Sequence, residues 1–166
     1  MTSIIKVDTI QTSAGGTPTA SSLGISGVGK IGQVVSATTS TAVTNSTTSY
    51  ADIGLSVTIT PTSTSSKIYI NAAVTNIETT SPETNVTTQH RILRDATEVV
   101  RYNTARINGV ESDSGGSNAL LVLDSPSTTS AITYKIQQRV EVAGGRTSIS
   151  QHNTGASTIV AMEVLA

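Results

Sequence analysis

The residues of this chain that could do chemistry are few and scattered. It holds two histidines, His90 and His152, and no cysteine. Neither histidine has a second His, Asp or Glu beside it at ligand spacing. His90 falls in phase with Val86 and Ile92, which turns it inward. A satisfied core or interface histidine is therefore expected ahead of a metal ligand. Glu111 and Asp113 offer the hard oxygens that calcium takes. They sit in a polar, glycine-containing stretch and read more simply as charges keeping a loop tip in water. Asp52 precedes a strand and is suited to satisfying turn amides. No nucleophile elbow, P-loop or zinc signature occurs. Asn45-Ser46-Thr47 and Asn85-Val86-Thr87 match the glycosylation triplet, which carries weight only in a secreted chain. The opening MTSIIKVDTIQ lacks both a basic start and a long apolar core, so it reads as no secretory signal. An enzyme is not expected, nor a cofactor, nor a metal.

The elements that position these residues must be strands. The chain has 166 residues, room for one domain and a small appendage. Its formal net charge of −1 makes no electrostatic case for nucleic acid or an acidic membrane. No apolar run approaches the roughly 20 residues that span a bilayer. Serine and threonine make up 52 residues, and the aromatics are four tyrosines with no Phe or Trp. A buried aromatic supplies about 150–250 Å² of contact. The core must instead come from Ile, Val, Leu and Ala, within a hydrophobic content of 36%. Such a chain is either partly disordered or shares its core with copies of itself. The clear period-2 segments oppose disorder, so an oligomer is expected over a thin monomeric sandwich.

The organising stretch runs from Ala51 to Val74. Ile53, Leu55, Val57 and Ile59 alternate, and so do Ile68, Ile70, Ala72 and Val74. Between them lies PTSTSS, where Pro61 ends the first strand and hydroxyls stabilise a turn. Ile31 to Thr39 is the strand before this pair. Val86 to Arg94 and Thr97 to Tyr102 form a hairpin around Asp95-Ala96, although a two-residue turn usually prefers Gly at its second position. Ala119 to Leu123 is a strand. Ala131 to Val142 is the clearest one, with Ile132, Tyr134, Ile136, Gln138, Val140 and Val142 on one face. Arg146 to His152 is short and polar. Ser157 to Leu165 closes the domain with Ile159, Val160, Met162 and Val164. No helix is convincing. The expectation is all-β: an antiparallel β-sandwich, jelly-roll-like, over residues 31–166.

Residues 1–30 read differently. Ile5, Val7 and Ile10 form a short apolar segment, and a Gly/Ser/Thr-rich tether follows it. This is the pattern of an extended docking arm, with those three side chains inserted into a partner protein or adding a strand to it. In the head, two polar loops are candidates for meeting a host-surface glycan or protein. One is Asn76 to Asn85, with Glu78 and Glu83. The other is Asn108 to Asn118, with Glu111, Asp113 and Ser114.

Several separated blocks resemble one family. SIIKVDTIQTSAGGTPTA, the stretch GQVV to TSYADIGLSVTITPTSTSSKIYI, RILRDATEV and STIVAMEVL appear in an order similar to that in tail-fibre-like and other virion structural proteins of tailed phages, marine and cyanobacterial ones especially. Ala96 departs from the glycine expected in the hairpin. The resemblance implies a homotrimer, attached to the particle by its N-terminal part through residues 1–12 and bearing a C-terminal β head. It implies a virion location after assembly in the host cytoplasm. A capsid decoration or head-fibre protein is one alternative, and a free lectin-like binding module another. In a threefold assembly His90 could meet its copies on the axis.

Overall fold

The computed structural model describes residues 30–80, 87–103, 114–142 and 146–165. Ile5, Val7, Ile10, Glu83, Asn108, Glu111 and Asp113 lie outside the described residues. Ten strands follow in order: β1 Ile31–Thr39, β2 Val43–Asn45, β3 Ala51–Ile59, β4 Lys67–Thr80, β5 Thr88–Arg94, β6 Thr97–Asn103, β7 Ser114–Asp124, β8 Ile132–Val140, β9 Thr147–Ser150 and β10 Ser157–Val164. No helix among the described residues is long and apolar enough to cross a membrane.

The strands form two antiparallel sheets. One runs β1-β10-β4 and continues with β7 on the far side of β4, while β9 and β2 extend it past β10; the other runs β3-β8-β5-β6. The eight longer strands thus make two four-stranded sheets, and the chain crosses between them at every step except the β5–β6 hairpin. That is jelly-roll order. The alternating stretches explain it. Ile53, Leu55, Val57 and Ile59 of β3 turn inward from one sheet, and Ile68, Ile70, Ala72 and Val74 of β4 turn inward from the other. β3 and β4 are therefore not ladder partners, as strand-turn-strand suggests, but opposite walls of the core. The 62–66 turn between them carries a Ser66 N to Ser63 O hydrogen bond of 3.2 Å. Each buried Ile, Leu or Val contributes roughly 1.5–3 kcal/mol. Tyr134 of β8 is the one fully buried aromatic among the described residues.

Several strand boundaries differ from the sequence reading. β8 stops at Val140, and Val142 is 55% exposed beyond it. β4 continues to Thr80 and β7 begins at Ser114, because the two pair through Ile77↔Gly116, Glu78↔Gly115 and Thr79↔Ser114. The β5–β6 hairpin keeps a two-residue turn, since Arg94 pairs with Thr97. Asp95 takes φ 52, and Ala96 is not left-handed. The turn is anchored to β8 by Asp95 N to Thr133 O at 2.8 Å and Thr133 N to Asp95 Oδ1 at 3.0 Å.

β3 is irregular between Asp52 and Ser56, where its register with β8 shifts. Gly54 lies there with φ 73. A Cβ on it would meet nothing closer than Thr39 Oγ1 at 3.9 Å. Gly54→Ala should therefore cost only backbone strain, about 1–2 kcal/mol, read as a lowered urea midpoint with an unchanged β-sheet spectrum. A midpoint equal to wild type would show that the irregularity re-forms without it.

Towards β2 and β9 the interior turns polar. Gln138 Nε2 donates to Val43 O at 2.8 Å, and Gln138 Oε1 accepts from Ser148 Oγ and from Ser150 Oγ at 2.5 Å. Thr88 Oγ1 donates to Ser148 Oγ at 2.8 Å. His90 sits among them, opposite Gln138 and Tyr102 in register, with no exposed surface. Neither of its ring nitrogens has a hydrogen-bond partner. Burial pushes its pKa from 6.5 down to about 4. The satisfied histidine expected from sequence is thus corrected to a buried, unsatisfied one. Enclosed between two sheets of its own protomer, it cannot reach copies on a threefold axis.

Candidate functional site

The outer faces of the two sheets contrast. On the β1-β10-β4-β7 sheet, Val34 stands opposite Met162, Met162 opposite Tyr69, and Tyr69 opposite Leu123. These four form one outward apolar row across four strands. Beside it lie Val160, Val164, Leu121, Ala73 and Ala119, with the polar Ser36 and Asn71 on either side of Val160 and Ile31 at one corner. Val34 is 55% exposed, Leu123 51%, Ile31 51% and Leu121 47%. Of the outward-facing residues in these four strands whose side chains are described, Lys67 alone is charged. Three interstrand gaps and about seven residues of strand give a patch of roughly 14 by 20 Å. At about 280 Å² it matches the largest apolar patch of an ordinary monomer, and such patches are often functional. The flank is also open: β1 is an edge strand of 9 residues with no charge and no proline, the kind a monomer normally avoids exposing. On the other flank, Tyr102 of β6 closes β7, its hydroxyl donating to Leu121 O and accepting from Leu121 N.

The outer face of the β3-β8-β5-β6 sheet is charged and laced together. Asn45 builds one corner. Its side-chain oxygen accepts from Thr47 N and Thr47 Oγ1, and its nitrogen donates to Ser49 O and Gln138 O. Asn45 is buried in this role, so the triplet it opens offers no free glycosylation amide. The turn delivers Tyr50 onto the sheet. Three guanidinium carbons approach its ring: Arg91 at 3.9 Å, Arg139 at 4.8 Å and Arg101 at 5.7 Å from the centroid. Gln89 Oε1 accepts from Tyr50 OH at 3.1 Å and from Arg139 Nε at 2.7 Å. Arg91 donates to Gln137 Oε1 and to Glu98, and Arg101 also pairs with Glu98. The Arg101 hydrogen bond leads in holding Glu98 below the ordinary carboxylate range. Asp52 takes Gln137 Nε2 at 2.6 Å and Lys135 Nζ at 3.1 Å, a side-chain role in place of the turn role expected.

Of the receptor-facing residues chosen from sequence, Glu78, Ser114 and Asn118 are among the described residues. Glu78 and Ser114 are strand residues within β4 and β7, not loop tips. Asn118, also in β7, stands opposite Val74, and its side-chain nitrogen is buried without a partner. β4 and β7 thus take in residues that the sequence reading assigned to polar loops. Two features were missed. Of the four apolar residues singled out in the closing strand, Ile159 points inward in β10 with Ala161 and Glu163, while Val160, Met162 and Val164 face out. The signal was available: ALLVL in β7 and TIVAM in β10 are consecutive apolar runs, which mark strands covered on both faces. Glu163 is fully buried, accepting from Gln33 Nε2 at 2.8 Å, Thr62 N at 2.6 Å and Thr62 Oγ1 at 2.7 Å.

No protein-family model matches the chain, and no curated protein matches it. Among solved structures it is similar to the VP2 subviral particle of infectious bursal disease virus, with 14% identity and a TM-score of 0.44, over 81% of this chain and 38% of that one. The Gx strain of the same virus gives 13% identity and a TM-score of 0.42, over 82% of this chain and 39% of that one. The chain thus spans under two fifths of these neighbours' length. So distant a superposition says nothing of what this chain does.

Proposed function

We propose that the protein is a non-enzymatic structural component of a virion. Residues 1–30 serve as docking arm and tether, with Ile5, Val7 and Ile10 gripping another virion protein. Residues 31–166 form a β head that assembles as a homotrimer. The observation that carries this reading is the uncharged apolar row Val34, Met162, Tyr69 and Leu123 on the outside of a folded sheet. The occupant proposed for it is a second copy of the chain. A face with so little charge can meet its own copies without like-charge repulsion. The opposite sheet, covered by guanidinium and carboxylate groups, is costly to bury and stays outside. The resemblance of several sequence blocks to tailed-phage fibre proteins supports the virion setting. The polar stretches Asn76 to Asn85 and Asn108 to Asn118 are proposed to face a host surface.

Leu123→Glu tests the assembly. Leu123 is half exposed, so the variant should fold with an unchanged spectrum. Its mass by light scattering should fall from three chains to one. A wild-type mass of one chain, or a trimeric variant, would sink the interface. Gold-labelled antibody against residues 31–166 tests the setting on intact particles. Label at the tail supports a fibre, label spread over the shell supports the capsid-decoration alternative, and unlabelled particles overturn the virion reading.

A further inference from the structure

The outer face of the β3-β8-β5-β6 sheet holds an arrangement that stability alone does not favour. Arg91 and Arg101 are direct partners across β5 and β6. Like charges so placed destabilise a sheet. Arg139 brings a third guanidinium to the same phenol ring, Tyr50. A single carboxylate, Glu98, serves both Arg91 and Arg101. The chain as a whole is slightly acidic, at a net charge of −1, so this local excess of positive charge stands out. Positions that break a local rule without a gain in the fold are where function is to be sought.

We infer that this face binds the carboxylate of an acidic saccharide. The guanidinium fork matches a carboxylate bidentately. Arg101 is the accessible donor, its side chain 45% exposed. Arg139 and Arg91 are held at fixed height by Gln89, Gln137 and the Tyr50 ring. The surroundings select a sugar over a uniform polyanion. Asp52 and Glu98 lie on the same face and repel a continuous line of negative charge, yet their remaining lone pairs accept from hydroxyl groups. A ligand with spaced anionic groups and hydroxyls between them satisfies both signs. The inference does not rest on the assembly reading, since the whole cluster belongs to one protomer.

The test is calorimetric titration of the full chain with trigalacturonate, with its methyl ester, and with dextran sulfate. The acid should bind, the ester should not, and binding should weaken as salt is raised. Arg101→Gln, at an exposed position, should weaken the acid about tenfold, and Arg139→Gln at least as much. Arg139→Lys keeps the charge but loses the fork, and should recover only part of the affinity. No heat with the acid overturns the inference. So does equal binding of acid and ester, or a tighter response to dextran sulfate, which would mean unspecific attraction of polyanions. An Arg101→Gln variant that folds and binds as wild type overturns it too.

Discussion

A His90→Leu variant should keep most of its stability on acidification from pH 6.5 to pH 4, where the wild type loses it. The unfolded chain takes up a proton near 6.5, whereas the buried ring resists until about 4. Between those values the unfolded state alone binds the proton, so acid favours unfolding. The loss begins as pH falls below about 6.5, is complete near 4, and adds nothing further below that. A shift of this size is worth about 3 kcal/mol. No charged neighbour contributes to it; burial alone does. Leucine also removes two buried nitrogens that lack partners, so the variant should equal or exceed the wild type at pH 7.5. Urea midpoints at pH 7.5 and 4.5 decide the matter. Equal losses in the two proteins would mean that His90 is not the group responsible. A second descent should survive in the variant. At Glu163 burial pushes the pKa up, but hydrogen bonds from Gln33 and from Thr62 prevail and bring it from 4.5 to about 2. That contribution is present above 4.5 and is lost as pH falls through about 2.

Asp124→Ala should be the most damaging single change at the seam between the sheets. Asp124 ends β7 in one sheet and takes two residues of the other. Arg94 Nη1 donates to its Oδ1 at 2.9 Å and Oδ2 at 2.7 Å, and Tyr134 OH donates to Oδ2 at 2.6 Å. Tyr134 is fully buried. Burial first, and then the Asp124 hydrogen bond, push its pKa above the ordinary range, so it remains a donor at any relevant pH. Removing the carboxylate strands a buried hydroxyl and a guanidinium that is 25% exposed. Breaking a buried pair costs 3–5 kcal/mol, and this partly exposed one about 3. Tyr134→Phe leaves the ion pair and should cost about 1 kcal/mol. The double variant should lose less than the sum of the two, because both remove the same bond. Strict additivity in urea denaturation, or a loss under about 1 kcal/mol for Asp124→Ala, would show that the seam is held elsewhere.

The fold was legible where one face of a strand is wet. The alternations of β3, the first half of β4 and β8 placed Ile53 to Ile59, Ile68 to Val74 and Ile132 to Val140 on the core side, and the sandwich follows from them. Legibility ended where both faces are apolar. In β10 the period-2 signal is hidden by Val160 and Met162, so the pattern does not mark Glu163 as inward. The Tyr50 cluster was illegible for another reason. Its members come from a turn and three strands, and Arg139 contacts Thr48 across 91 positions of sequence. No local pattern announces a site assembled by topology. For the same reason His90 looked satisfied: its phase in β5 predicts burial, but not the absence of partners.

The pairing of β1 with β10 has a consequence in time. Ile31 lies beside Val164, and Thr39 beside Ser157, so the first strand of the head is laddered to the last. β10 is also the strand that joins β1 to β4. During synthesis the chain therefore cannot close this sheet until β10 has left the ribosome. Loops that long make folding slow, and until then the inward side of β4 has no neighbour on one flank. A chain cut short before Ser157 would keep that flank open, exposed to adhesion and proteolysis. Only chains that include β10 present a finished apolar face, so the order of the strands acts as a check that this sheet is complete.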